Sequence, residues 1–190
     1  MEASADLVDR QRALQSEAAE VLRDLRVEET LGVVGRTAAV GSFVTGLMVW
    51  RDLDVVVDAP GLTTERAFEV MHPLLARSGA ARYENDTELE RHYFVFRIPW
   101  DDREWKLDVS LFLAGIPPDL EVLQDELRER LTDEARLTIL TLKDAWHTEA
   151  AYPDVVGGFE ICDAVLNNGV RSLDQLDGYL LERGLPARTR

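Results

Sequence analysis

Several common signals are scarce in this sequence, and their scarcity narrows the class of protein. Cys162 is the only cysteine, so neither a disulfide within the chain nor a cysteine-rich zinc site is possible. The longest uncharged stretch, Thr37 to Trp50, has 14 residues and is too short to span a bilayer. The first ten residues lack the basic start and apolar run of a signal peptide. These absences predict a cytoplasmic protein without a membrane segment.

Positive charge is also scarce. The chain has 21 Lys+Arg against 36 Asp+Glu, a formal net charge of −15. Tight binding to a long phosphate backbone needs basic surface that displaces counterions, so long nucleic acid is an unfavourable partner. A nucleotide remains possible, because a local pocket and a metal ion can override the global field. Among the basic residues, lysine is much rarer than arginine: Lys106 and Lys143 are the only two lysines.

The hydrophobic pattern predicts helices around a small sheet. An apolar helical face runs through residues 3–28, and residues 37–40 and 52–58 are typical of short buried strands. Two segments rich in aromatic and β-branched residues, 91–99 and 103–113, predict a hairpin. A short helix is expected within residues 43–50, and a capped helix from Thr63 to about Ser78. From Pro118 onward the pattern is helical, with the last two helices expected at about 156–167 and 173–183.

A glycine-serine pair and two aspartates predict a phosphate and metal site. Gly41-Ser42 follows the first short strand, and nine residues later the next strand opens with Asp52-Leu53-Asp54. Strand side chains alternate between faces, so Asp52 and Asp54 point the same way, about 7 Å apart. A hard divalent cation such as Mg²⁺ removes the repulsion between two such carboxylates. Gly41 lets a triphosphate approach the backbone, and Ser42 offers a hydroxyl and an N–H group.

A third carboxylate, Asp108, lies between apolar residues in the second strand of the predicted hairpin. A charge in such a strand is not expected to face a core unless it is paired or metal-bound. If this strand lies beside the one that carries Asp52 and Asp54, the three carboxylates could hold two metal ions about 4 Å apart.

These residues resemble a known signature. The order G-S, nine residues, D-L-D-V and a later L-D-V strand is similar to that of polymerase-β-like nucleotidyltransferases, over about residues 30–113. The resemblance implies an α+β fold with a small mixed sheet flanked by helices. It also implies a catalytic domain over residues 1–115 and a C-terminal helical segment over residues 116–190 that packs on it. The implied activity is nucleotidyl transfer from an Mg²⁺-bound NTP, with ATP the expected nucleotide, and release of pyrophosphate.

The resemblance also assigns roles to single residues. It implies that Asp52 and Asp54 bind both Mg²⁺ ions, and that Asp108 binds the catalytic ion and helps to deprotonate the acceptor hydroxyl. Gly41 and Ser42 are implied contacts of the β- and γ-phosphates. The competing structural interpretation places Asp52 and Asp54 at an exposed strand mouth, since Asp is common in turns.

Four further residues are candidate nucleotide contacts. Arg51 departs from the small polar residue often found there in the family, and it either supplies charge to the phosphates or crowds the site. Lys106 lies two residues before Asp108 and therefore on its face. The stretch around Lys143 resembles the L-x-x-L-K-x-x-W pattern of poly(A)-polymerase and CCA-adding relatives, which implies a triphosphate contact for Lys143 and an assisting role for Tyr152. A solvated helix position for Lys143 and a packing role for Tyr152 are the alternatives.

The acceptor is less constrained than the chemistry. Our first expectation is the hydroxyl of a small molecule, as in antibiotic nucleotidyltransferases, because an acidic cleft attracts cationic acceptors. AMP transfer to a protein, as in some toxin–antitoxin systems, and nucleotidyl transfer to RNA ends are alternatives, and the Lys143 pattern favours the latter. A non-catalytic nucleotide-binding or partner-binding module is the alternative of another class. The acceptor, the base preference and the oligomeric state stay open at this point.

Overall fold

The computed structural model describes residues 2–188, with the side chains of residues 2–5, 119, 121 and 123 left out of the description. Five strands in the described chain form one sheet in the order β1-β2-β5-β4-β3. Strands β2 and β5 pair in parallel and the other neighbours are antiparallel, so the sheet is mixed. The strands are β1 (Thr37–Val40), β2 (Asp52–Asp58), β3 (Ala80–Asp86), β4 (Arg91–Trp100) and β5 (Arg103–Phe112).

Helices flank this sheet, which confirms the predicted α+β class. Among the described helices, none combines the length and the apolar character that crossing a bilayer requires. The helices are α1 (Glu2–Asp24), α2 (Val27–Leu31), α3 (Ser42–Thr45), α4 (Thr64–Leu75), α5 (Pro118–Arg130), α6 (Asp133–Trp146), α7 (Gly158–Asn168) and α8 (Leu173–Glu182).

Two large apolar clusters hold the helices in place. The first lies on one face of the sheet, where α1, α2 and α4 cover alternate residues of β2 and β5 such as Leu53 and Leu107. The second joins α6, α7 and α8 to Leu7 of α1 and to Leu47 and Val49 of the chain before β2. Helix α1 therefore packs on both clusters. The sheet face opposite the first cluster is left with few apolar contacts, and the polar residues of β2 and β5 lie there.

Local signals set most of the observed boundaries. Thr63 caps α4 by accepting a hydrogen bond from the backbone N–H of Arg66 at 3.3 Å, and Thr132 caps α6 in the same way through Ala135 at 3.1 Å. An N-terminal Ser or Thr satisfies one of the unpaired N–H groups of a helix. The strands over 37–40 and 52–58 and the hairpin of β4 and β5 are confirmed.

Four details differ from the sequence-based expectation. The helix expected over residues 3–28 ends at Asp24, because Arg26 adopts a left-handed conformation and a separate helix, α2, follows. The helix expected within residues 43–50 covers only Ser42–Thr45, because Gly46 is left-handed with φ 68° and ends it. Helix α4 ends at residue 75, two residues after Pro73 and short of residue 78. Strand β3 was not predicted, because its mostly exposed residues show no apolar alternation.

Candidate active site

The register between β2 and β5 brings the predicted carboxylates together. Asp54 pairs directly with Asp108, and Asp52 pairs with Lys106. Directly paired residues of neighbouring strands face the same side of a sheet, and so do residues two apart. All four side chains therefore lie on one face, whereas Leu53 belongs to the core on the other.

The turn after β1 places a glycine against this cluster. Val40 pairs with Asp54 at the end of β1, and Gly41 follows with φ 71° and ψ −142°. A Cβ atom at position 41 would lie 2.7 Å from Asp54 Oδ2, closer than a Cβ contact allows. Glycine is thus required both by the backbone conformation and by the space. Ser42 then begins α3, so this turn lies directly beside the carboxylates.

Lys143 reaches the same turn from the C-terminal helices. It lies on α6 with only 2% of its surface exposed. Its Nζ donates to Ser42 Oγ at 2.6 Å and to the carbonyl of Leu47 at 2.8 Å. Burial lowers the pKa of Lys143, because desolvation disfavours the ammonium form. Because the ammonium occupies a lone pair of Ser42 Oγ, the hydroxyl proton of Ser42 remains free for another acceptor.

Lys106 contacts the carboxylates themselves. Its Nζ lies 2.7 Å from Asp108 Oδ2 and 3.2 Å from Asp52 Oδ1. The hydroxyl of Tyr93, on β4, donates to the same Asp108 Oδ2 at 2.6 Å. Burial opposes the charge of Lys106, but Asp52 and Asp108 outweigh it, so the pKa of Lys106 is raised. One oxygen of Asp108 is therefore held by two donors.

The first two carboxylates are costly to ionise. Burial raises the pKa of Asp52 to about 6, and the nearby Asp108 adds to the effect while Lys106 opposes it. Burial raises the pKa of Asp54 to about 7, with Asp52 and Asp108 adding repulsion. Shifted carboxylate pKa values are frequent at functional sites, where a bound ligand supplies the positive charge that stabilises the ionised form.

The donor set fits a hard divalent cation. Asp52 Oδ1 and Asp108 Oδ1 are buried and have no hydrogen-bond partner, although Lys106 lies within ion-pair distance of the former. Buried carboxylate oxygens without partners are unfavourable unless a ligand completes them. Among the residues that the structure describes, no three Asp, Glu, His or Cys side chains are already gathered closely enough to enclose a metal. The ammonium of Lys106 contacts two of the three carboxylates, those of Asp52 and Asp108.

A cavity of about 710 Å³ opens over this cluster, between the sheet and the C-terminal helices. Its volume suits a nucleotide-sized ligand. Tyr152 forms part of its wall and packs edge-on against Trp50, with the ring centroids 6.3 Å apart. The cavity is lined by these predicted residues: Gly41, Ser42, Asp52, Asp54, Lys106, Asp108, Lys143 and Tyr152.

Arg51 is the predicted site residue that the structure does not bring into the cavity. Its guanidinium donates to both carboxylate oxygens of Glu17 on α1, at 2.8 and 3.1 Å. Glu17 also accepts from the indole N–H of Trp105 at 2.9 Å. Arg51 therefore braces α1 against the start of β2, and it neither crowds the cavity nor offers it charge.

Tyr93 and Gln124 are cavity residues that hydrogen-bond to predicted site residues but were not found from the sequence. Tyr93 reaches Asp108 across the hairpin, and its only signal was its position in a strand expected to pair with that of Asp108. Gln124 lies on α5, and its Oε1 accepts a hydrogen bond from the backbone N–H of Gly41 at 2.8 Å. No sequence signal connects these two segments, which are 83 residues apart.

The outer part of the cavity is acidic and carries one exposed aromatic ring. Phe159, at the start of α7, is 68% exposed. Arg130, at the end of α5, lies on the same rim and donates to the carbonyl of Leu166 and to the side chain of Asn167. The acidic residues on the rim are Glu126, Asp154, Glu160 and Asp163.

No protein-family model matches this sequence, and no curated protein matches it significantly. Solved structures do match. A cytoplasmic RNA terminal U-transferase gives a TM-score of 0.59 at 16% identity, covering 82% of this chain and 49% of that one. The RNA terminal uridylyl transferase Cid1 gives 0.60 at 14% identity, covering 89% and 53%. The polymerase core of the RNA surveillance complex TRAMP gives 0.53 at 15% identity, covering 90% and 58%.

This chain thus spans about half the length of the structures that it matches. The TM-scores show that the fold is shared, whereas sequence identities of this size leave the acceptor undetermined. The sheet, its flanking helices and the structural matches together show that the chain shares the fold of these RNA terminal transferases, the fold that its resemblance to polymerase-β-like nucleotidyltransferases implied.

Proposed function

We propose that this protein transfers a nucleoside monophosphate from an Mg²⁺-bound NTP to the 3′-hydroxyl at the end of an RNA. The observation that carries the nucleotidyl transfer is the meeting of Asp52, Asp54 and Asp108 on one sheet face beside the Gly41-Ser42 turn. Structures of the similar Cid1 poly(U) polymerase have Mg 3′-dATP or MgGTP bound, which supports the same kind of ligand here.

The residues divide the work between a metal site and the turn beside it. Asp52, Asp54 and Asp108 would hold Mg²⁺, which when bound supplies charge that neutralises the triphosphate and the acceptor oxygen. Next to these carboxylates, the backbone N–H groups of Gly41 and Ser42 would bind the outer phosphates, since a ligand there can replace Gln124. Lys143 orients the Ser42 hydroxyl and adds positive charge below it.

Asp108 has the geometry to receive the acceptor proton. Tyr93 and Lys106 both donate to its Oδ2, whereas its Oδ1 has no donor. Oδ1 is therefore the oxygen open to the metal and, through its second lone pair, to the proton of the acceptor hydroxyl as the hydroxyl oxygen attacks the α-phosphorus. The bond to the pyrophosphate group breaks as the new phosphodiester bond forms.

The RNA end is preferred over a small-molecule acceptor for two reasons. The similar structures include RNA terminal uridylyl transferases and an RNA surveillance polymerase. In addition, the segment around Lys143, which resembles poly(A)-polymerase and CCA-adding enzymes, lies against the phosphate-binding turn. With a net charge of −15, the protein would engage only the terminal nucleotides.

A small cationic molecule is the second candidate acceptor, and a specific observation favours it. The acidic rim residues Glu126, Asp154, Glu160 and Asp163 repel phosphate and attract amines.

Labelled transfer distinguishes these candidates. The protein would be incubated with Mg²⁺ and with each of the four α-³²P-labelled NTPs in turn. The acceptor in separate reactions would be a short RNA, the same RNA with a blocked 3′ end, pooled aminoglycosides and lincosamides, or lysate protein. We expect label on the unblocked RNA and none on the blocked RNA. Asp54→Asn should abolish transfer, whereas Asp102→Asn, the same change on the exposed hairpin turn, should not. Label on the aminoglycosides or on protein would contradict the RNA assignment, and no transfer to any acceptor would contradict the enzymatic one.

A further inference from the structure

Lys106, one of only two lysines in the chain, lies within the carboxylate cluster of the candidate site. Its side chain is 13% exposed, and its ammonium lies between Asp52 and Asp108, at 3.2 and 2.7 Å. Its third neighbour is the ring of Trp50, whose centroid is 5.7 Å from Nζ. Lys106 thus holds a positive charge where the unpartnered carboxylate oxygens leave room for a metal.

The strand register places Lys106 beside Asp52 and Asp108. Lys106 pairs with Asp52 in the parallel register and stands two residues before Asp108 in β5, so all three side chains share one face. The other lysine cannot substitute for it, because Lys143 is committed to Ser42 Oγ and the carbonyl of Leu47.

We propose that Lys106 is a displaceable counter-cation that neutralises the carboxylate cluster until a nucleotide arrives. Since a divalent cation and the ammonium compete for the same two carboxylates, and directly for Asp52 Oδ1, the cluster binds metal weakly by itself and strongly when the phosphates of an NTP are present. The inference rests on the proposed nucleotidyl transfer, since it assigns the order in which the same site is filled.

The physical basis is that the flexible side chain of Lys106 lets its ammonium leave the carboxylates when a divalent cation takes its place. A lysine ammonium is a compact point charge on four rotatable carbons, so it can move by several ångströms without disturbing β5. Metal entry without nucleotide leaves the ammonium beside a divalent ion, which is repulsive. An NTP provides phosphate oxygens that can receive the ammonium, and Trp50 lies close enough to hold it on the way. Because binding free energies are reciprocal, the metal must raise the affinity for NTP by the same factor.

The test measures Mn²⁺ binding by electron paramagnetic resonance, without turnover. In the absence of nucleotide we expect Lys106→Met to bind Mn²⁺ about tenfold more tightly than the wild type, or better. Lys106→Arg, which keeps the charge, should stay as weak as the wild type. The matched control is Arg97→Met, which removes one positive charge at the position paired with Lys106 on β4, and it should change the affinity by less than about threefold.

A second titration measures the coupling. A non-hydrolysable NTP should tighten Mn²⁺ binding strongly in the wild type and much less in Lys106→Met, which lacks the competing cation. Equal or weaker Mn²⁺ binding by folded Lys106→Met, with Lys106→Gln behaving in the same way, would overturn the proposal. So would equal coupling in the wild type and in Lys106→Met.

Asp54→Asn separates this inference from the proposed function. Loss of Mn²⁺ binding in Asp54→Asn together with unchanged binding in Lys106→Met would reject only the role of Lys106. Unchanged Mn²⁺ binding in Asp54→Asn would reject the carboxylate site itself.

Discussion

At the scale of the residue, Asp54 shows how the candidate site conflicts with stability. Its carboxylate lies beside Gly41 and opposite Asp108, and burial raises its pKa to about 7. A group that ionises less readily in the folded state than in the unfolded state favours folding only while it is protonated. That contribution is complete below the unfolded pKa of 3.8 and is lost as the pH rises through about 7.

Asp54→Asn should therefore stabilise the metal-free protein at high pH while it removes activity. An amide resembles the protonated acid, so the variant and the wild type should be about equally stable at pH 4. At pH 8 the variant should be more stable by ~2 kcal/mol. Urea unfolding in EDTA at the two pH values measures the difference. A difference that does not grow with pH would contradict the assigned burial of Asp54.

Lys143 is also buried, but its ammonium donates two hydrogen bonds, to Ser42 Oγ and to the carbonyl of Leu47. Lys143→Met keeps most of the length of the side chain but leaves the carbonyl of Leu47 without its donor, and an unsatisfied buried group costs about 1–3 kcal/mol. The variant should also bind NTP about tenfold more weakly, because Ser42 loses its orienting partner. Thermal unfolding and nucleotide titration measure the two effects. Thr141→Ala, on an exposed position of the same helix, is the control and should change neither strongly.

At the scale of the element, helix α5 covers the Gly41-Ser42 turn. Gln124 occupies the N–H group of Gly41 that a phosphate oxygen would use under the proposed function. Farther along the helix, Arg130 ties its end to Leu166 and Asn167 near the end of α7. The proposed nucleotide binding would therefore replace at least one contact of α5.

Gln124→Ala tests this covering role. A competing hydrogen bond contributes about 0.5–1.5 kcal/mol, so its removal should tighten NTP binding by roughly two- to tenfold. Isothermal titration with a non-hydrolysable NTP measures the change, and the exposed Glu129→Ala on the same helix serves as control. Weaker binding by Gln124→Ala would mean that Gln124 contacts the nucleotide directly.

At the scale of the whole molecule, charge limits how the protein can meet an RNA. The net charge of −15 repels a long phosphate backbone, and the acidic rim of the cavity repels it further. Two positive groups of the cavity, Lys106 and Lys143, are deep inside, and Arg130 on the rim is engaged with Leu166 and Asn167. Under the proposed function, only the terminal nucleotides of an acceptor would approach the two lysines.

The salt dependence of RNA binding should therefore be shallow. Each phosphate contact contributes about −0.7 to the slope of log K against log salt for a single strand, so we expect a slope no steeper than about −2. Filter binding of a short RNA between 50 and 300 mM salt measures it, with duplex RNA lacking a free single-stranded end as the control. A slope of −5 or steeper would reveal a long basic track and contradict the end-recognition proposal.

Much of the fold follows from short-range patterns. Strands β2, β4 and β5 were predicted because their residues alternate or are continuously apolar, and the cap at Thr63 marks a helix start. Strand β3 was not predicted, because an edge strand with exposed residues has no apolar pattern to detect. The pairing of Arg51 with Glu17 was not predicted either, because Glu17 is 34 residues away, on a helix whose position only packing determines.

The sequence by itself determined that Asp52 and Asp54 share a face and that a glycine-serine turn precedes them, because side-chain alternation and turn chemistry act over a few residues. Only the tertiary structure decided that Asp108 stands opposite Asp54, that Lys106 enters the cluster, and that Lys143 and Gln124 reach the turn. Those contacts join segments far apart in the chain. Their geometry depends on strand register and helix packing, which no local pattern specifies.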